Sequence, residues 1–288
     1  MKLTEIVGGE KPSLSFEVFP PKNNANYESI RSAAEEIASL SPSYMSVTYG
    51  AGGGTSDATV SIAAGIQNKF GLPVLAHLSC INATRGGVRA QLEAMRRGGI
   101  DNVLALRGDL PPGTTAQECW EYRYASQLVE EIRSYGGFCV GGACYPEGHT
   151  ESPSQRLDIL HLKRKVDAGC DFLTSQMFFD NNVFYNFLFK IRDAGIQVPV
   201  IAGIMPVTNA SQIQRIVALS GTALPQRFRY ILDRFGGNPA TMRQAGIAYA
   251  TEQIVDLYAN GVAAVHVYSM NNAFVARKIQ ENLSEILR

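Results

Sequence analysis

Neither sign of charge dominates this 288-residue sequence: 26 Lys and Arg residues are matched by 26 Asp and Glu, so the formal net charge at pH 7 is zero. A chain that is neutral overall has no sequence-wide attraction to nucleic acid or to an anionic membrane surface, and a small-molecule site suits it better. Also missing is any apolar stretch long enough to span a bilayer. Residues 1–7 lead into Gly8-Gly9-Glu10-Lys11-Pro12 without the apolar core of a signal peptide, so a soluble, cytoplasmic protein is expected. The cysteines (Cys80, Cys119, Cys139, Cys144 and Cys170) are odd in number and form no Cys-x-x-Cys pair. That pattern argues against a disulfide framework and against a zinc or iron-sulfur cage; they read as reduced, mostly buried small residues. His77, His149 and His266 likewise lack metal-ligand spacing with carboxylates or cysteines, and no metal is expected. The stretch Gly50-Ala51-Gly52-Gly53-Gly54 fails the Gly-x-Gly-x-x-Gly dinucleotide fingerprint because Thr55 holds the last position. Such a loop still lets backbone amides approach a phosphate or a flat ring, and a flexible β-to-α connection is an equal alternative. Low-complexity runs and Pro/Ser-rich linkers are absent too.

What the chain does have is a series of short apolar runs near 14–19, 43–49, 73–79, 101–107, 137–144, 171–178, 198–204 and 262–268. Each is bounded by turn residues and reads as a strand buried on both faces. Amphipathic segments at 27–40, 55–70, 85–97, 124–135, 154–168 and 182–194 are long enough to be crossover helices. Strict alternation implies a parallel sheet, and eight strands predict a single α/β domain over residues 1–288, a TIM-type (β/α)8 barrel; an open doubly wound sheet is the alternative. Barrels of about 250 residues form one unit, so the length does not require two domains. The connection from Thr208 to Tyr249 is longer and predicts extra helices near the C-terminus, before a segment 253–260 and a closing helix 272–287.

Polar residues sit late in these strands. The run Asn102-Val-Leu-Ala-Leu106 hands over to an Arg107-Gly108-Asp109 turn closed by Pro111 and Pro112; Glu17, Thr48, His77 and Gln176 end or interrupt other runs. In a barrel, strand C-terminal ends converge on one mouth, so these groups can share a site.

Six ordered segments carry a more specific signal: Phe16-Glu17-Val-Phe-Pro-Pro-Lys22, Ser46-Val-Thr-Tyr-Gly-Ala51, Ala76-His-Leu-Ser-Cys80, Ala105-Leu-Arg-Gly-Asp-Leu-Pro-Pro-Gly113, Tyr145-Pro-Glu-Gly-His149 and Leu162-Lys-Arg-Lys-Val-Asp-Ala-Gly169. Together they resemble the bacterial methylenetetrahydrofolate reductases over nearly the whole chain. The resemblance implies a flavin-dependent barrel that reduces 5,10-methylenetetrahydrofolate to 5-methyltetrahydrofolate, with FAD as cofactor and a reduced nicotinamide as donor. It implies ping-pong order, the nicotinamide leaving before folate takes the same face. It also implies a homo-oligomer, since relatives usually form dimers or tetramers.

The chemistry explains the residues. Hydride can reach the one-carbon unit only after its ring opens to an iminium, and opening requires a proton on the departing nitrogen. Glu17 matches the family's general acid; a carboxylic acid that must hold its proton near neutral pH needs burial or a neighbouring carboxylate, which Phe16, Val18 and Phe19 on one hand and Asp109 on the other are expected to supply. Read without the resemblance, Glu17 and Asp109 are equally well ion-pair or capping groups. Flavin needs cations or amide donors for its pyrophosphate and donors for its ring, roles that Arg107, Gly108, Arg164 and Lys165 fit. By resemblance Thr48, Tyr49, Ala51, His77, Asp109, Ala125, Tyr145, His149, Asp158 and His161 complete the cofactor shell, His161 standing where relatives have an asparagine. Lys163-Arg164-Lys165 taken alone reads as a solvated helix face.

On the substrate side the resemblance implies Glu17, Asp109, Gln176 and Gln212, with Asn272 standing where relatives often carry an arginine and Ile216 where a relative stacks an aromatic ring. Arg277, roughly a turn and a half beyond Asn272, is a candidate replacement for that arginine. Two other readings stay open: direct hydride transfer without flavin, and a folate-binding or electron-transfer subunit that needs a partner protein. No Rossmann acidic residue or 2′-phosphate arginine can be assigned, so NADH and NADPH are equal candidates.

Overall fold

A computed structural model describes residues 1–21, 26–49, 56–109 and 121–288. Eight strands form the framework: Ser13–Val18 (β1), Tyr44–Val47 (β2), Val74–Ser79 (β3), Asn102–Leu106 (β4), Cys139–Cys144 (β5), Phe172–Ser175 (β6), Val200–Ile204 (β7) and Ala264–Val267 (β8). Each pairs in parallel with the next, and β8 returns to β1 through Ser13↔Ala264 and Ser15↔His266, so the sheet closes. That closure decides for the barrel over the open sheet. The helices are Thr4–Val7 (α1), Tyr27–Ala38 (α2), Ser56–Phe70 (α3), Arg85–Arg97 (α4), Ala125–Tyr135 (α5), Gln155–Asp167 (α6), Asn181–Asp193 (α7), Ala210–Ser220 (α8), Gln226–Phe235 (α9), Pro239–Ala259 (α10) and Ala273–Asn282 (α11).

The strands form where the sequence is apolar and β-branched because both of their faces are covered. Residues such as Phe16, Met45, Ala76, Val103, Leu173, Ala202 and Val265 join the helix-facing core. Their neighbours one position along point into the barrel. At the N-terminal end this interior is apolar: Tyr44, Leu75, Leu104, Cys139, Phe172, Ile201 and Ala264 form one cluster with Leu3 and Val7 of the N-terminal segment. The four-residue α1 thus stoppers the barrel bottom, and Asn102 Oδ1 fastens it by accepting from Leu3 N at 2.8 Å. Nearer the mouth the interior turns polar, with Ser15, Glu17, Ser46, His77 and His266 on β1, β2, β3 and β8.

Several helices start on a side chain that accepts from the first turn. Thr84 caps α4, Ser154 α6, Asp180 α7, Asn209 α8, Asn238 α10 and Asn272 α11. The long penultimate connection holds α8, α9 and α10, which share a satellite core of Met177, Phe179, Val207, Ile213, Phe228, Met242 and Tyr249. Three details differ from the sequence reading. The closing helix expected over 272–287 ends at Asn282. Helix α1 was not anticipated, because four residues show no periodicity, and segment 253–260 is the last part of α10 rather than a separate element. Among the described residues, no helix is long and apolar enough to cross a membrane, and Cys80, Cys139, Cys144 and Cys170 are free and buried. Cys119 lies outside the described residues.

Candidate active site

Glu17 is the penultimate residue of β1, and its alternation with Phe16 and Val18 turns its side chain into the barrel. Only 14% of that side chain is exposed. Two imidazoles flank it: Oε2 lies 3.8 Å from His77 Nε2 and 3.9 Å from His266 Nε2. Burial lowers the pKa of His77 to about 4, against the pull of Glu17 and with a small further push from His266, so this ring is neutral at working pH. Its Nε2 is buried with no hydrogen-bond partner among the described residues. The expectation for Glu17 was apolar flanks and a second carboxylate. Phe16 and Val18 face the helices instead, and the carboxyl's immediate company is two histidines.

His266 is held on every side. Ser15 Oγ lies within hydrogen-bond distance of both the Val265 carbonyl, at 3.2 Å, and His266 Nδ1, at 2.8 Å. Ser46 Oγ lies 3.0 Å from Nε2, Tyr44 stacks on the ring with an interplanar angle of 4°, and Tyr268 meets it edge-on. Tyr268 in turn donates its hydroxyl to the Ser175 carbonyl at 2.6 Å. The sequence offered only a lone histidine here; the partners come from β1 and β2, far away along the chain.

The Arg107-Gly108-Asp109 turn follows β4 as expected. Gly108 has φ of 91°, and a Cβ there would lie 2.3 Å from Ser79 Oγ, so only glycine lets the turn lie this close to the β3 end. Asp109 is exposed, and its charge raises the pKa values of Arg107 and Tyr145. The Arg107 guanidinium is fully oriented: Nε donates to the Gly108 carbonyl at 3.1 Å, and both Nη atoms donate to the Glu151 carboxylate at 2.6 Å.

The loop after β5 supplies the neighbouring wall. Tyr145 packs edge-on against His149 with ring centroids 4.6 Å apart, and burial beside Asp109 and Asp158 pushes its phenol up to about 12. His149 N donates to Asp158 Oδ2 at 3.2 Å, which ties the loop to the first turn of α6. Further along α6, Lys165 turns inward and donates to the Ala143 carbonyl at 2.6 Å, and burial lowers its ammonium pKa. His161 and Arg164 are exposed, and Lys163 pairs with Asp167. The basic triplet is thus not one solvated face.

Gln176 directly follows β6 and lines a small cleft with Tyr145, Gly148, Met177, Ser220 and Thr222; its Oε1 accepts from Met177 N at 2.9 Å. Thr48 and Tyr49 follow β2, and Ala125 opens α5. Gln212 is exposed on α8, Ile216 packs against the satellite core, and Asn272 uses its Oδ1 to cap α11 through Val275 N at 3.2 Å. Arg277 does not stand in for an arginine at position 272: it pairs with Glu36 of α2 at 2.7 Å on the outer wall. Ala51 lies outside the described residues. Two groups built into this mouth, His266 and Glu151, were missed as site residues, and a reader alert to strand parity could have placed the first, which falls on the inward-facing positions of β8.

With this geometry, the family model for methylenetetrahydrofolate reductase matches residues 2–284. The chain belongs to that family. It is 35% identical over 281 residues to the 5,10-methylenetetrahydrofolate reductase of Escherichia coli (strain K12), covering 98% of this chain and 93% of that one. It is 34% identical over 300 residues to methylenetetrahydrofolate reductase (NADH) 1 of Zea mays, covering 99% of this chain and 50% of the maize protein. Among solved structures, an uncharacterized protein from Clostridium thermocellum that binds two copies of 5-methyl-5,6,7,8-tetrahydrofolic acid superposes with a TM-score of 0.65 at 14% identity, covering 99% of this chain and 98% of that one. At that identity the likeness is one of fold. As a member of the methylenetetrahydrofolate reductase family the chain is an oxidoreductase, and the Glu17 and Arg107 clusters lie at the barrel end where enzymes of this architecture act.

Proposed function

We propose that this chain reduces 5,10-methylenetetrahydrofolate to 5-methyltetrahydrofolate with FAD as electron relay and NADH or NADPH as donor, the nicotinamide and the folate using one mouth in turn. The observation that carries this reading is the placement of Glu17: a carboxyl inside the barrel, beside a neutral His77, at the end where Arg107, Tyr145 and Gln176 converge. His77 is kept neutral by burial, and the reading gives Glu17 the delivery of a proton to the departing nitrogen of the folate ring. Gln176 offers a donor and an acceptor to a heterocycle edge.

The residues present fit a flavin dinucleotide. Among the described residues the buried Nε2 of His77 has no hydrogen-bond partner, Arg107 presents an oriented cation at the end of β4, and Gly108 lets the turn that carries Arg107 lie against the end of β3. Bound there, flavin would supply two-electron chemistry, taking hydride from a nicotinamide and passing it to folate. Arg107, Gly108, Tyr145 and His149 are the residues that would hold it.

The test is the visible spectrum of the purified protein, followed anaerobically as nicotinamide and then methylenetetrahydrofolate are added. NADH is tried first because the maize relative's name carries it. Flavin bands that bleach with nicotinamide and return with folate are expected. A protein that stays colourless and cannot be reconstituted with FAD contradicts the flavin reading, and bands that neither nicotinamide bleaches point to electrons delivered by a partner.

A further inference from the structure

Glu151 belongs to no motif and carries no role in the reading above, yet it links the two halves of the cofactor wall. Its carboxylate accepts two hydrogen bonds from Arg107, at 2.6 Å each, across the gap between the β4 end and the loop after β5. Its backbone N–H donates to His149 Nδ1 at 3.1 Å, which orients that imidazole as well. Through His149 the connection continues to the Tyr145 ring and to Asp158 on α6. A single residue therefore fixes Arg107 and His149, which otherwise sit on separate loops. The paired guanidinium edge is taken by Glu151 and Nε by Gly108, so the remaining Nη protons have one orientation available to them.

We propose that Glu151 is a positioning residue for the dinucleotide cofactor, acting through Arg107 by holding its guanidinium ready for a phosphate oxygen. The proposal rests on the reading that Arg107 belongs to the cofactor wall. A lysine or an unsupported arginine would carry the same charge, but it would have to order a flexible side chain each time the ligand bound. Glu151 is half exposed, 50% by its side chain, so replacing it leaves the core intact.

The experiment is titration of the apoprotein with FAD, read by quenching of flavin fluorescence, for the wild type, Glu151→Gln, Arg107→Lys and the double variant, with thermal midpoints checking that each is folded. Glu151→Gln removes the charge and one of the two acceptors, and its FAD dissociation constant should rise about tenfold, the effect of losing a charge-assisted hydrogen bond. In the Arg107→Lys background, which has no fork to orient, the same change should alter affinity by less than about twofold. Unchanged or tighter binding in Glu151→Gln overturns the proposal, because it would mean Glu151 is idle or competes with the phosphate. An equal loss in both backgrounds also overturns it, since Glu151 would then act independently of Arg107. A wild type that binds no FAD removes the flavin reading itself, whereas a wild type that binds FAD with an indifferent Glu151→Gln removes only this inference.

Discussion

A buried histidine that stays neutral in the folded chain but can take a proton in the unfolded chain makes acid a denaturant, and His77 is such a group. Its pKa falls from the ordinary 6.5 to about 4 because burial penalises the imidazolium. The sign follows from proton binding: between pH 6.5 and 4 the unfolded state holds more protons at this position than the folded state, so stability is complete above 6.5 and declines as pH falls towards 4. Between pH 7 and pH 5 the group should account for about 2 kcal/mol of lost unfolding free energy, at roughly 1.4 kcal/mol per pH unit. Urea unfolding at the two pH values should show His77→Gln losing that much less than the wild type, and equal losses would contradict the assignment. Single residues were only partly legible in the sequence. The motif that carries Glu17 made it a candidate site residue, but its company could not be read because His266 lies 249 positions away and is brought up by barrel closure. Glu151 escaped for a similar reason: its partner Arg107 is 44 positions away, and a lone glutamate in a loop has no pattern.

At the scale of elements, packing overrules propensity in α10. A glycine inside a helix ordinarily costs about 1 kcal/mol relative to alanine, so Gly246→Ala would stabilise an exposed helix. Here a Cβ at position 246 would lie 1.8 Å from the Val207 carbonyl oxygen and 2.7 Å from its carbon. Those are backbone atoms just past the end of β7 and cannot swing aside, so α10 must withdraw. The same helix donates the Tyr249 hydroxyl to the Phe179 carbonyl at 2.6 Å and the Gln253 amide to that of Phe178. Gly246→Ala should therefore destabilise by about 1–3 kcal/mol, with a matching fall in the denaturation midpoint; a gain in stability would show that the close approach is not real. Strands and crossover helices were legible to within a few residues because apolar runs between turn residues leave little choice. Helix α10 was not, since its mean pattern changes along 21 residues: Pro239, Gly246 and a run of small residues look like breaks until the β7 end that they pack against is known. Helix α1 shows the opposite limit, a single turn that exists because Leu3 and Val7 fill the barrel bottom.

For the molecule as a whole, the barrel turns eight separate strand ends into one mouth. Eight apolar runs alternating with amphipathic segments made that architecture legible from the sequence, while the polarity of its interior was not: apolar at the end closed by α1, hydroxyl- and imidazole-lined at the end where Glu17 sits. In the proposed reaction nicotinamide and folate use one mouth in turn, and the proton-transfer step, needed by folate alone, is assigned to Glu17; Glu17→Gln keeps the shape and hydrogen-bonding reach of that side chain while removing the transferable proton. The decisive measurement is stopped-flow absorbance of the two half-reactions in this variant. Flavin reduction by nicotinamide should stay within about threefold of the wild type, and reoxidation by methylenetetrahydrofolate should slow by about a hundredfold or more, the usual size of a general-acid contribution. Reoxidation at the wild-type rate in Glu17→Gln, with flavin reduction also unchanged, would contradict the account.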